Sequence, residues 1–464
     1  MPTSSRTTVC LAACALLATG CAAFDPYNVL SRHVPATPPA ADTPAPSAAN
    51  LPLDRATRTA ALDFVWHTIN ERYYDPKLNG VDWKAARDRW APLALGAGTD
   101  DEFWDHLDRM TGELRDAHTR VESPQRAELI ARDELVSLGF ALLPIGGKLV
   151  VTGVRSDSDA HWAGVRPGMT LEQVDGKPAQ AAYAAALGEA RHSSTAQARQ
   201  RAAARRLLEG QPETAARLAF ARGDGARFDV TLKRKRVASP ASVMHRVLPS
   251  GYGYIRLTGW EQSLQGRMVR AIEELKDTPG LVIDLRGNPG GSAFMVNNVA
   301  AQFFEGKVAA GRSITRTGKP VTLAFGAIEL VKLQREIKGT GTYRGPVVVL
   351  ANEASASGSE LFAGLLQALG RATIVGRTSC GCMLAYLGYA DVPGGGKLAY
   401  SEVAFEFTNG KRIEREGVVP DVPVDITVAD LLVGRDRTLE EAQERLSGML
   451  PKERAPVAGG QEKP

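Results

Sequence analysis

From about residue 245 this chain of 464 residues alternates short apolar strands with helical segments, and that alternation limits its possible folds more than any other feature. A strand near Ile255 is followed by a helix from Leu264 to Leu275, the strand Leu281 to Leu285 and a helix from Met295 to Phe304. Further on, Val347-Val348-Val349-Leu350 runs through small residues into an apolar-periodic segment, Leu361, Phe362, Leu365, Leu366 and Leu369. Strands separated by helices predict α/β layers.

The turn between the last two segments reads Asn352-Glu353-Ala354-Ser355-Ala356-Ser357-Gly358-Ser359-Glu360. Small side chains around Ser357 let a substrate backbone approach, and the first N–H groups of a helix have no internal partners, so they can hold an oxyanion beside the serine. The same residues, Ser-x-x-Glu before an apolar run, also make an ordinary capped helix start.

Flanking segments decide between these readings. Gly253-Tyr254-Ile255-Arg256-Leu257, Leu281 to Leu285 continuing as Arg286-Gly287-Asn288-Pro289-Gly290-Gly291-Ser292, and Glu414-Arg415-Glu416-Gly417-Val418-Val419-Pro420-Asp421 resemble, in order, the motifs of the tail-specific (C-terminal processing) serine peptidases and their tricorn-like relatives. The resemblance implies a crotonase-like core over about 245–428 with Ser357 as nucleophile. In the tail-specific branch a lysine after the nucleophile serves as base; here the matching stretch is Ser379-Cys380-Gly381-Cys382-Met383, with Cys382 at the lysine position. A thiol cannot stand in for an amine base on serine, because its thiolate would be the better nucleophile. The tricorn-like branch lacks that lysine and uses a histidine, which the motif Asp116-Ala117-His118-Thr119 places at His118, with Ala117 where that branch carries serine. The resemblance further implies Glu414 as the residue that orients the imidazole, with Glu416 the fallback, and an oxyanion hole from the N–H groups of Gly358 and of Gly290 or Gly291. The Gly-rich stretch lacks both the Gly-Lys-Ser/Thr ending and the dinucleotide spacing, so nucleotide binding is not expected and no cofactor or metal is implied.

At the N-terminus, Arg6 precedes an apolar run from about Val9 to Leu17 that is too short to span a bilayer, and Leu17-Ala18-Thr19-Gly20-Cys21 follows as a candidate lipoprotein processing site. Lipidation at Cys21 would tether an exported protein in the periplasm, with Ala22 favouring the outer membrane. Of five cysteines only Cys380 and Cys382 lie in the folded part, which excludes a disulfide framework and leaves three readings: apolar fillers, a redox-sensitive bridge beside the site, or a metal pair lacking further ligands. A net charge of +4 without a basic tract interleaved with aromatics argues against nucleic acid as a partner.

The expected organisation is a signal peptide (1–21), a Pro/Ala-rich linker (22–52), a helical cap (53–125) that delivers His118, a β-rich module (134–236), the peptidase core (245–428), and a C-terminal helix and tail (429–464). The module carries Ala163-Gly164-Val165-Arg166-Pro167-Gly168-Met169-Thr170-Leu171, similar to a PDZ helix-to-strand signature. It also carries Ser137-Leu138-Gly139-Phe140, similar to the PDZ loop that holds a peptide carboxylate, which makes Leu138, Gly139 and Phe140 the candidate peptide-binding residues. An Ala/Arg-rich helical insertion interrupts it between about 181 and 218. The expected function is an exported serine endopeptidase acting on envelope proteins. The alternatives are an inactive relative that binds peptide C-termini, and a cysteine nucleophile at Cys380 or Cys382.

Overall fold

The computed structural model describes residues 52–132, 134–190 and 192–449, together with 24–25, 29–30 and 32. The expected signal peptide with Cys21, and most of the expected linker, lie outside the described residues.

Three helices form the cap: α1 (Arg55–Arg72), α2 (Trp83–Leu95) and α3 (Asp100–Gly112). Each starts at a side chain that satisfies a free helical N–H: Asp54 accepts from Thr57, Asp82 from Ala85 and Thr99 from Glu102. Asp100, Asp101 and Glu102 add negative charge to the first turn of α3, where the helix dipole favours it. Leu62, Val65, Ile69, Phe103, Leu107 and Met110 bury into one core, which also takes Leu398 and Tyr400 from far along the chain. The cap is therefore not closed by residues 53–125 alone.

The β-rich module follows with β1 (Phe140–Ile145), β2 (Lys148–Val154), β3 (Thr170–Val174), α4 (Ala179–Glu189), α5 (Ala196–Arg206), β4 (Ala215–Ala221) and β5 (Arg227–Lys233). Its sheet runs in the order β1-β2-β3-β4-β5, so β1 is an outermost strand. The expected insertion is the helix pair α4 and α5, and α5 lies against β1.

The core contains β6 (Val243–Val247), β7 (Gly253–Leu257), α6 (Gln265–Glu274), β8 (Leu281–Asp284), α7 (Ala293–Ala300), the hairpin strands β9 (Val321–Leu323) and β10 (Ile328–Val331), β11 (Val347–Ala351), α8 (Gly358–Ala368), β12 (Thr373–Gly376), β13 (Val422–Pro423) and α9 (Arg437–Met449). The main sheet has the order β6-β7-β8-β11-β12-β13, with β6 antiparallel and the rest parallel. Register aligns Ile255, Ile283, Val349 and Ile374 across four strands, and these side chains bury against Met268, Val296 and Phe362 on one face. The alternate residues Tyr254, Val282, Val348 and Val375 face Ala442 and Leu446 of α9 on the other. Burial on both faces explains why β11 is continuously apolar and β8 is apolar up to its last residue, the buried Asp284. The C-terminal helix is thus a layer of the core rather than an appendage.

Candidate active site

Ser357 stands where β11 has ended and α8 begins, half-buried, with a left-handed φ of 51° that a non-glycine residue adopts only under constraint. The constraint is visible. Its N–H donates to the Cys382 carbonyl at 3.0 Å and to Glu360 Oε2 at 3.0 Å, and the neighbouring Ala356 N–H donates to the Asn288 carbonyl at 3.0 Å.

Asn288 is fully buried and organises the opposite wall. Its Nδ2 donates to the Leu257 carbonyl at 3.0 Å, while its Oδ1 accepts from the Gly290 N–H at 2.9 Å. Gly290 has a φ of 103°, and a Cβ there would come within 2.7 Å of both the Ala356 carbonyl and Ser357 Cβ. Gly291, at a φ of 137°, would bring a Cβ to 2.4 Å from the Trp260 carbonyl. Only glycine lets the two chains approach this closely. Since the Gly290 N–H is occupied, the Gly291 and Gly358 N–H groups are the pair of expected donors left without a protein partner among the described residues. The Gly291 nitrogen would lie 3.2 Å from a Cβ on Gly358, so the two donors are neighbours.

Glu360, read from sequence only as half of a helix cap, is fully buried and does more. It accepts from Ser379 Oγ at 2.5 Å, Gly381 N at 2.6 Å, Cys382 N at 2.9 Å and Ser357 N. Burial pushes its carboxyl up to about 7, against the pull of these donors. One carboxyl therefore ties the serine turn to the loop where the family's lysine is expected. In that loop Cys380 and Cys382 form a disulfide, so of the three sequence readings the bridge is the one present.

His118 follows α3 after a left-handed turn at Arg115. The adjacent Asp116, fully buried, accepts from Tyr73 Oη (3.1 Å), His118 N (2.8 Å), Thr119 Oγ1 (2.5 Å) and Ser401 Oγ (2.6 Å), which fixes the backbone that presents the imidazole. The residue is 9% exposed, and among the described residues its Nδ1 has no hydrogen-bond partner. Burial pushes it down to about 4, with the Asp116 charge opposing and the Arg120 charge assisting, so it is neutral at pH 7. Ala117 and Ala356, the residues preceding His118 and Ser357, pack on the same bridged cysteines.

Glu414 accepts from the Met383 N–H at 2.6 Å, and burial pushes it up to about 8, with the charges of Asp116 and Glu360 contributing. Among the described residues no hydrogen bond joins Ser357, His118 and Glu414 to one another. Glu416, the fallback, is exposed. In the module, Leu138 and Phe140 are buried in its core, and the Gly139 N–H, needed for a carboxylate in the PDZ reading, donates to Ser137 Oγ at 2.9 Å.

Sequence reasoning also missed the reach of the insertion. Thr195 Oγ1 donates to the Cys380 carbonyl at 2.6 Å and Gln197 Nε2 to the Ser379 carbonyl at 2.9 Å, while His192 bridges the Thr119 carbonyl (3.1 Å) and Asp108 (2.9 Å).

Comparison with known proteins bears on the family and the fold. Residues 251–424 match the model of Peptidase family S41 and residues 54–112 that of the Tricorn protease C1 domain. Residues 251–424 are thus similar to the S41 tail-specific peptidases, a family of serine-type hydrolases. It is similar to carboxyl-terminal-processing peptidase 3, chloroplastic, of Arabidopsis thaliana, at 25% identity over 86% of this chain and 75% of the relative. It is likewise similar to tricorn protease homolog 1 of Streptomyces coelicolor, at 25% identity over 82% of this chain but 34% of the relative, so it spans about a third of that protein. Among solved structures, mature CPAF complexed with lactacystin shares the fold, with a TM-score of 0.64, 17% identity, and coverage of 85% of this chain and 99% of that one.

Proposed function

We propose that this chain is an exported serine endopeptidase in which Ser357 attacks the scissile carbonyl, neutral His118 takes the serine proton and returns it to the leaving amine, and the Gly358 and Gly291 N–H groups stabilise the oxyanion. The observation that carries this reading is the turn at Ser357: a constrained left-handed serine beside two N–H donors that have no protein partner among the described residues, with the loop at the lysine position closed by a disulfide. Glu414 completes the site as the third member. Because burial favours its protonated form up to about pH 8, its carboxylate orients an imidazole best in alkaline solution. Substrates are envelope proteins guided by the β-rich module as a PDZ-like domain, and Cys21 carries a lipid anchor.

A fluorophosphonate probe tests the chemistry. Labelling of the chain from residue 22 onward, read by intact mass, is expected to disappear in both Ser357→Ala and His118→Ala; labelling that survives Ser357→Ala rejects the nucleophile. The lack of a hydrogen bond between His118 and Ser357 favours one rival, an inactive peptide-binding relative. Folded wild-type protein that resists the probe both alone and with peptide would establish that rival.

A further inference from the structure

The hairpin β9–β10 is built in an unusual way. Its base is anchored: Val321 and Val331 are buried against Val403, with Leu387 alongside. Its tip is the reverse. Residues 325 to 330, Phe-Gly-Ala-Ile-Glu-Leu, are all exposed, with Phe325 at 71%, Ile328 at 52% and Leu330 at 40%. Ile328 and Leu330 are two apart on one strand and so share a face. Two consecutive non-glycine residues, Ala324 and Phe325, take left-handed φ values of 49° and 57°, an arrangement held at a cost. A soluble surface gains nothing from such a tip.

The chain's own N-terminal segment indicates what covers it. Arg32 is buried in an ion pair with Glu402 and stacks on Tyr400, and Asp25 accepts from the N–H groups of Val29 and Leu30, each at 2.8 Å. The segment expected to be a free linker is therefore fastened to the core at its start. Just before it, the Phe24 ring meets the Phe325 ring edge-on at a centroid separation of 5.9 Å. Cys21 is three residues further back, which limits its distance from Phe24 to about 10 Å.

We infer that the tip Phe325-Ile328-Leu330, with Phe24, is a membrane-docking surface that inserts into the apolar boundary of a lipid bilayer. The inference rests on the reading of Cys21 as the lipidated residue: a lipid there enters the bilayer within reach of Phe24, so the leaflet must lie against the hairpin. The exposed Lys319 and Lys332 at the base of the hairpin suit an anionic headgroup layer.

The test omits the lipid, so that it does not depend on lipidation. The chain from residue 22 onward retains every described residue and is sedimented with vesicles of phosphatidylethanolamine containing a minority of phosphatidylglycerol, and separately with phosphatidylcholine vesicles. Wild type is expected to bind both. The double variant Phe325→Ser/Ile328→Ser should bind at least tenfold more weakly while cleaving a small soluble peptide, or taking up the fluorophosphonate probe, as wild type does. Phe325→Trp should retain binding and be quenched by brominated acyl chains. Absence of wild-type binding overturns the inference, as does binding confined to anionic vesicles and indifferent to the double variant, which would be lysine electrostatics alone. So does a dimer in solution that the double variant dissolves, which would make a second copy the occupant. Failure of the anchor reading is seen separately, as an unmodified Cys21 in the mass of protein recovered from membranes.

Discussion

Glu360→Gln isolates the carboxyl that holds the serine turn. The two side chains are nearly the same size, so the change is one of hydrogen-bond polarity. Oε2 accepts the Ser357 and Cys382 N–H groups, and Oε1 accepts the Gly381 N–H and the Ser379 hydroxyl. An amide nitrogen at Oε2 would strand two N–H groups. At Oε1 it strands only Gly381, because the Ser379 hydroxyl can turn to accept. The second orientation is cheaper, and one buried unsatisfied donor costs about 1–3 kcal/mol. For a core of this size that lowers Tm by several degrees, at about 2–4 °C per kcal/mol. The pH dependence has a definite sign. Burial raises the folded pKa from 4.5 to about 7, so the folded state binds the proton more tightly. The carboxyl's linkage contribution is complete below the unfolded pKa and is lost as pH rises through the folded one. Glutamine has no such loss, so the stability gap should be widest near pH 5 and narrow toward pH 8. Thermal melts of both proteins across that range measure it, with probe labelling of Ser357 as a check on the turn. A variant as stable as wild type at pH 5, or a gap that widens with pH, refutes the reasoning, since the latter would mean a folded pKa below the unfolded value.

Three further outcomes are expected. His118→Ala should lower kcat by about 10²- to 10⁴-fold with folding intact, and because burial pushes His118 down to about 4, wild-type kcat/KM should keep its neutral-imidazole limb well below pH 6 and fall only as pH drops through that region. Glu414→Gln should remove a rise in kcat/KM as pH increases through about 8, where the buried wild-type carboxyl ionises; a wild-type profile flat from pH 7 to 9 would take Glu414 out of the relay. Arg32→Ala leaves the buried Glu402 unpaired and should cost about 3–5 kcal/mol, read as an earlier urea midpoint, whereas an unchanged midpoint would mean the N-terminal segment is not fastened as described.

What could be read from sequence and what could not divide along a physical line. Strands β8 and β11 were legible because burial on both faces forces a run of apolar residues, broken in β8 only at Asp284, and the cap helices because one face must be apolar. Ser357 and the glycines at 290 and 291 were singled out through the resemblance of their motifs, since the residues around Ser357 alone fit an ordinary capped helix start equally well. Glu360 was seen but undervalued, since its partners are backbone N–H groups at 381 and 382, which leave no side-chain signature. The cysteine pair kept three readings because spacing does not determine whether two thiols face each other. Arg32 was hidden in a segment of linker composition, where a single residue finds a buried acid 370 positions away.

The insertion was legible as helix but not as a part of the site, and the reason bears on how the site works. Segments 116–119, 192–197 and 379–382 are far apart in the chain, yet Thr195 holds the Cys380 carbonyl and His192 holds the Thr119 carbonyl. Both bonds end on main-chain oxygens, so they constrain where the backbone runs and leave side-chain identity free. The loop that Thr195 restrains is the one that Glu360 joins to Ser357, and the turn that His192 restrains is the one that presents His118. A shift of α5 against β1 would therefore reach the serine and the histidine together. Motifs name the reacting groups, while the distance between those groups is set by contacts that no local pattern encodes.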